Sequence, residues 1–167
     1  MIERYRRWFE YEKDAHAQTL ASLETVPAER RSEEDYQKAL TFFAHMMAAR
    51  RLWLYRLGAY AEAPKDFFPK DVTLADLHEQ SAHVNAIWTE YLSRLEEAHI
   101  AKPFEYRSLD GNPFRNVIED IFTQLFGHSW YHRGQIALLV RMLGGTPAAT
   151  DFVFWTREAL GKTEEPA

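Results

Sequence analysis

Four long segments of this chain repeat their apolar residues with the 3.6-residue period of an α-helix, and breaks containing Pro or Gly separate them. The segments are residues 2–23, 32–58, 74–98 and 114–143. A fifth, shorter segment of the same kind covers residues 150–160. Strand-like alternation is confined to residues 104–112, where Asp110-Gly111 favours a short hairpin or an irregular excursion. The pattern predicts an all-α protein, a four-helix bundle with a short C-terminal fifth helix.

Start and stop signals flank two of the predicted helices. Ser32-Glu33-Glu34-Asp35 is typical of a capping box variant, with acidic side chains at the positive end of the second helix. That helix is expected to stop at Gly58, because glycine readily takes the left-handed conformation that ends helices. Thr73 and Asp76 give the corresponding start signal for the third helix.

Length and composition narrow the class of protein. A chain of 167 residues, 46% of them hydrophobic, is sized for one domain, which we predict over residues 1–160 with a loose tail at 161–167. The net charge of -5, with both signs scattered, gives no reason to expect a nucleic-acid or membrane partner. No apolar run has membrane-spanning length and the N-terminus is charged throughout, so we expect a soluble, cytoplasmic protein. The chain has no cysteine, which excludes disulfides, zinc thiolates and a protein thiol nucleophile.

Two histidines of the fourth helical segment carry the main functional hypothesis. His128 and His132 are four residues apart, so they point about 40° apart on a helix and can reach one metal ion. His45 has an equally apolar setting on the second helix, and we expect all three to point into the bundle. Three neutral imidazoles are a common ligand set for a divalent transition metal that keeps one position open. The alternative, three separate core histidines that are each satisfied by a hydrogen bond, stays open on spacing alone.

The other titratable residues are weaker candidates for metal ligands. His78 and His83 are five apart, about 140° around a helix, and cannot share an ion. Glu96 and His99 form a single Glu-x-x-His motif, whereas a di-iron bundle needs two. Four further expectations concern single side chains: Glu12 and His16 are expected to face solvent, Arg133 to point outward, and Gln135 to orient a ligand imidazole. The aromatic content of 14% indicates either a subunit interface or an aromatic-rich core.

The motif around the two histidines resembles the signature of the DinB-like, YfiT-related family of damage-inducible proteins. The matching residues are His128-Ser129-Trp130-Tyr131-His132-Arg133-Gly134-Gln135, then Leu143-Gly144-Gly145-Thr146-Pro147 and Asp151, with His45 as the upstream histidine. The resemblance implies an up-down-down-up four-helix bundle, often a homodimer, with one divalent ion held by His45, His128 and His132. Nickel or zinc is the ion it favours, with iron and manganese as alternatives.

The predicted function is a metal-dependent enzyme that acts on a small molecule, by transfer of a low-molecular-weight thiol or by metal-assisted hydrolysis. Some relatives of this family are similar to thiol transferases, others to thiol-dependent isomerases, and many have no assigned reaction. A chain without cysteine would need such a thiol as a cosubstrate. Glu12, Asp14 and Tyr131 are the candidates for a general base, from their place in the bundle. The competing hypothesis is a metal-stabilised binding or stress-response module without turnover, in which the ion would be fully coordinated and sealed.

Overall fold

The computed structural model describes residues 1–158, which form six α-helices, one 3-10 turn and one β-hairpin. The elements are α1 (Ile2–Glu24), a 3-10 turn (Ala28–Arg30), α2 (Glu34–Arg56), α3 (Leu74–Arg94), α4 (Glu97–Ile100), β1 (Pro103–Arg107), β2 (Pro113–Val117), α5 (Ile118–Met142) and α6 (Phe152–Thr156). The prediction of a mostly helical fold with four long helices is confirmed. The single domain over residues 1–160 stays a prediction.

The long helices pack in a ring around one apolar core. α1 contacts α3 and α5, and α2 contacts the same two helices. The largest fully buried apolar side chains come from α1, α2, α3 and α5, for example Phe9, Phe43, Trp88 and Ile136. Within this ring α2 and α5, the helices that carry the three histidines, are direct neighbours. The up-down-down-up order of helix directions stays a prediction.

One of the two predicted helix start signals is confirmed and the other is wrong. Thr73 caps α3 as predicted: its Oγ1 accepts a hydrogen bond from the Asp76 amide at 3.2 Å, and its own amide donates to the Asp76 carboxylate at 2.8 Å. The prediction of a capping box at Ser32 is wrong. α2 begins two residues later, with Glu33 as its N-cap and no side-chain cap. Arg30 of the 3-10 turn binds the Glu33 carboxylate at 2.6 Å, and the chain is still turning at residues 31–33.

The β-hairpin includes residues that the helical periodicity had predicted to belong to the fourth helix. β1 and β2 pair antiparallel, with Tyr106 opposite Phe114, and Gly111 takes a φ of 85° in the turn. A hairpin was one of the two structures expected here, but the predicted helix start at residue 114 is wrong, because residues 113–117 pair with β1. The third predicted helix likewise ends early, at Arg94, and α4 follows it as a separate turn.

The C-terminal segment folds back onto α1. Thr150 accepts a hydrogen bond at its carbonyl from the Tyr11 hydroxyl, and the Phe152 ring packs edge-on against Tyr11 with centroids 5.1 Å apart. α6 is shorter than the predicted fifth helix, and the last two residues of that prediction, like the predicted tail, lie outside the described residues. Among residues 1–158, no helix is long and apolar enough to cross a membrane.

Candidate metal centre

Three imidazoles from α2 and α5 meet at one point. Nε2 of His128 lies 3.0 Å from Nε2 of His45 and 3.1 Å from Nε2 of His132. One ring nitrogen from each histidine lies within 4.8 Å of the other two, so the cluster could hold a metal ion. The four-residue spacing stacks His128 and His132 one turn apart on α5, and the contact between α2 and α5 brings His45 up to them.

The other ring nitrogens fix which tautomer two of the histidines adopt. Nδ1 of His45 lies 2.8 Å from the carbonyl oxygen of Phe67, and Nδ1 of His132 lies 2.8 Å from Oε1 of Gln135. Both oxygens can only accept, so each Nδ1 carries a proton, and in the neutral ring each Nε2 presents a lone pair. His128 Nε2 has at most one proton and can satisfy only one of those two lone pairs. A cation shared by three lone pairs resolves this conflict, and an oxygen partner on the outer nitrogen is the usual support of a metal-binding histidine.

The three histidines differ in burial, so the prediction that all three point into the bundle is confirmed fully only for His132. His132 is buried, but His45 and His128 are partly exposed. The loop before α3 flanks them: the half-exposed Phe68 ring stacks on His45 with centroids 4.1 Å apart. The exposed Tyr131 ring packs edge-on against His132 at 5.1 Å. Two of the three histidine side chains are therefore in contact with solvent as well as with each other.

Two of the three imidazoles, those of His128 and His132, are held in the neutral form that binds metals. Burial, with smaller contributions from His132, His45 and Arg50, lowers the pKa of His128 from 6.5 to about 4. Burial also lowers the pKa of His132, although its hydrogen bond to Gln135 opposes the shift. Metal binding displaces protons from imidazole, so ligands that are already neutral at pH 7 need no deprotonation.

Comparison with known proteins agrees with this fold. The DinB family model matches residues 1–165, nearly the whole chain. The protein belongs to the DinB family. A crystal structure of a DinB-like protein from Bacillus cereus ATCC 10987 superposes with a TM-score of 0.67 at 20% identity, over 88% of this chain and 95% of that one. At that identity the likeness shows the fold alone. No curated protein matches the sequence.

A buried charged cluster lies behind the histidines of this DinB protein, and it corrects two further predictions. Glu12 is fully buried instead of solvent-facing, and Arg133 is buried instead of pointing outward. The Glu12 carboxylate accepts hydrogen bonds from Arg133 Nη1 at 2.8 Å and from Nη2 of Arg50, a residue that the sequence did not single out. The other Nη of Arg133 donates to the Tyr11 hydroxyl at 2.9 Å, and Arg50 also donates to Ser129 Oγ at 3.1 Å.

His16 is fully buried beside this cluster, which makes its predicted solvent-facing position wrong as well. Its ring packs edge-on against Phe43 at 5.7 Å, and its Nε2 lies 3.5 Å from Glu12 Oε2, although neither ring nitrogen makes a well-formed hydrogen bond within residues 1–158. Burial, reinforced by the positive charges of Arg50 and Arg133, lowers the pKa of His16 well below 6.5. His16 is therefore neutral in the folded protein at pH 7.

We expect the stability of the metal-free DinB protein to fall as the pH drops below about 6.5, partly because of His16. In the unfolded chain this imidazole takes up a proton near that pH, whereas the buried ring resists protonation. The unfolded state then binds more protons, so acid favours it, and the contribution is fully present above pH 6.5. Urea unfolding of His16→Leu between pH 7 and pH 5 should show a shallower pH dependence than the wild type. Identical slopes would contradict this role.

The remaining candidates do not join the metal centre. His78 and His83 are exposed and have different partners, Glu24 at 3.0 Å and the Tyr60 hydroxyl at 3.1 Å, as their separation on the helix predicted. His99 hydrogen-bonds the amide of Glu96 within the turn that begins α4. Asp14 is partly exposed on α1 and accepts a hydrogen bond from Gln18 at 2.6 Å. Of the three proposed bases, only Tyr131 contacts a histidine of the cluster.

Proposed function

We propose that this DinB protein is a metal-dependent enzyme in which His45, His128 and His132 hold one divalent transition ion. The observation that carries the proposal is the pair of Nε2 lone pairs, on His45 and His132, directed at the Nε2 of His128. Their tautomers are set by Phe67 and Gln135, so the nitrogens that face each other are the ones free to bind a cation.

The chemistry of the donor set narrows the choice of metal. Imidazole nitrogen suits zinc, nickel, copper and iron, whereas manganese prefers oxygen donors. Among the described residues the cluster contains three nitrogens and no carboxylate. The donor set makes manganese the weakest alternative, and we rank nickel and zinc ahead of iron because the family resemblance favours them.

Three protein ligands leave at least one position for water or substrate. A bound ion of this kind lowers the pKa of a water or thiol attached to it and polarises an electrophile. Phe68 and Tyr131, which pack against the histidines, are aromatic and exposed, and such side chains suit a substrate with an apolar part. The phenol of Tyr131 is the one candidate base that remains beside the cluster, because both Glu12 oxygens are engaged by arginines.

The reaction that we favour is transfer of a low-molecular-weight thiol to a small electrophile, with hydrolysis of a small molecule as the second choice. The chain has no cysteine, so the thiol has to come from a cosubstrate. Neutral ligands leave the full charge of the ion uncompensated, and such a site attracts a thiolate or hydroxide. These features support an enzyme over a structural ion, which would be enclosed by a complete set of ligands.

A homodimer, a small-molecule substrate and a cytoplasmic location complete the proposal. The outer surface of α5 supports the dimer, because several large apolar side chains are exposed on it: Trp130, Tyr131, Leu138 and Met142. The net charge of -5 gives nucleic acid and anionic membranes no attractive surface charge.

Turnover is tested by assays of zinc- and nickel-loaded protein with a panel of small thiols and electrophiles. We expect consumption of the electrophile that depends on both the thiol and the metal, and none with His132→Ala treated in the same way. Consumption of an ester or amide without a thiol would instead favour hydrolysis. If metal-loaded protein turns over neither class of substrate, the hypothesis of an enzyme is contradicted and the metal-stabilised binding module is favoured instead.

A further inference from the structure

The buried cluster behind the metal centre carries more positive than negative charge. One carboxylate, Glu12, is shared by two guanidiniums, Arg50 and Arg133, and all three side chains are at least 97% buried. Glu12 accepts from both, which is the role of an ionised carboxylate, and arginine stays protonated in proteins. Among residues 1–158, Glu12 is the only acidic partner of either arginine, and His16 beside it is neutral. One positive charge is therefore uncompensated in the interior.

That charge lies close to the three-histidine centre. Arg50 donates to Ser129, the neighbour of His128 in the chain, and Arg133 is the neighbour of His132. Ser129 and both arginines are buried, so the charge lies in the protein interior and not at its surface. A charge in such a place is weakly screened and acts on whatever binds at the histidines.

We propose that the Arg50–Glu12–Arg133 cluster selects the substrate of the metal centre by charge, favouring a group that binds there as an anion, such as a thiolate or carboxylate. The proposal rests on the metal site proposed above. The cluster adds its positive charge to that of an ion held by neutral ligands, and no carboxylate belongs to the histidine cluster in the described chain. Its members act through the electric field and touch neither the ion nor the substrate.

The test uses the full chain loaded with cobalt(II), whose visible spectrum reports binding at the open position. Thiocyanate serves as the anionic probe and imidazole as the neutral one. Arg133→Gln leaves Glu12 paired with Arg50 and cancels the excess charge, so thiocyanate should bind roughly threefold to tenfold more weakly. Glu12→Gln raises the excess charge, and thiocyanate should bind more tightly by a similar factor. Imidazole affinity should change by less than twofold in both variants.

Charge-conserving variants separate the field from packing. Arg133→Lys and Glu12→Asp keep the charges, so their thiocyanate affinity should stay within about twofold of the wild type. If circular dichroism shows that Glu12→Gln does not fold, the thiocyanate affinities of Arg133→Gln and Arg133→Lys still test the inference. Equal changes for the two probes, changes in the same direction in both charge variants, or no change would overturn the inference and leave the metal site standing. Wild-type protein that binds no cobalt would overturn both.

Discussion

Replacing His132 by alanine is expected to lower the affinity for zinc or nickel by more than the roughly 10- to 100-fold that loss of a residue supporting a ligand costs. The substitution removes one of three converging nitrogens and leaves His45 and His128 as a two-ligand site. Isothermal titration would give the affinity, and elemental analysis after dialysis would show sub-stoichiometric metal.

His83→Ala is the matched control for that experiment. It makes the same substitution at an exposed histidine whose partner is the Tyr60 hydroxyl, away from the cluster. This variant should keep one ion per chain at wild-type affinity. If His132→Ala also retains stoichiometric metal after dialysis, the ligand assignment is wrong.

Glu12→Ala is expected to lower the free energy of unfolding by about 3–5 kcal/mol, the usual cost of removing one partner of a buried ion pair. The reason is the desolvated charge left behind. Without the carboxylate, Arg50 and Arg133 lose their shared acceptor and repel each other in the core. Urea unfolding of the metal-free protein at pH 7 measures the loss.

Glu10→Ala provides the comparison on the same helix. Glu10 is exposed and pairs with Lys13 at 2.8 Å, and exposed ion pairs contribute little to stability. The two variants share the change of side chain and differ in burial. A loss in Glu12→Ala no larger than in Glu10→Ala would mean that the buried cluster is not a stabilising element of this fold.

The helices and the histidine cluster were predictable because their signals are local and periodic. Apolar residues at steps of three and four set the four long helices, and the spacing of His128 and His132 sets a shared face. That His45 would meet them was one of two open hypotheses until the family resemblance favoured it, since no local pattern specifies which helices are neighbours. The boundary at residues 113–117 was missed because Phe114 fits a helical stripe as well as a strand, and pairing with β1 decided between them.

The buried cluster was missed for a different reason. A single Glu or Arg is far more often exposed than buried, so the sequence favoured solvent for Glu12 and Arg133. A signal was nonetheless present on α1: Glu12 and His16 fall at steps of three and four within the buried stripe formed by Phe9, Thr19 and Leu23. A charged residue inside an apolar stripe indicates a buried partner, and the partner's identity depends on tertiary contacts with α2 and α5.

The central claim, one cation shared by three imidazoles, is tested most directly by nuclear magnetic resonance of the histidine side chains during titration with zinc. Long-range proton–nitrogen correlation separates the ring nitrogens and reports their protonation. At one equivalent of zinc we predict that three of the seven histidines, His45, His128 and His132, become ligated through Nε2, with protonated Nδ1 in His45 and His132. Zinc-dependent shifts in a different set of histidines, or in none, would contradict the account.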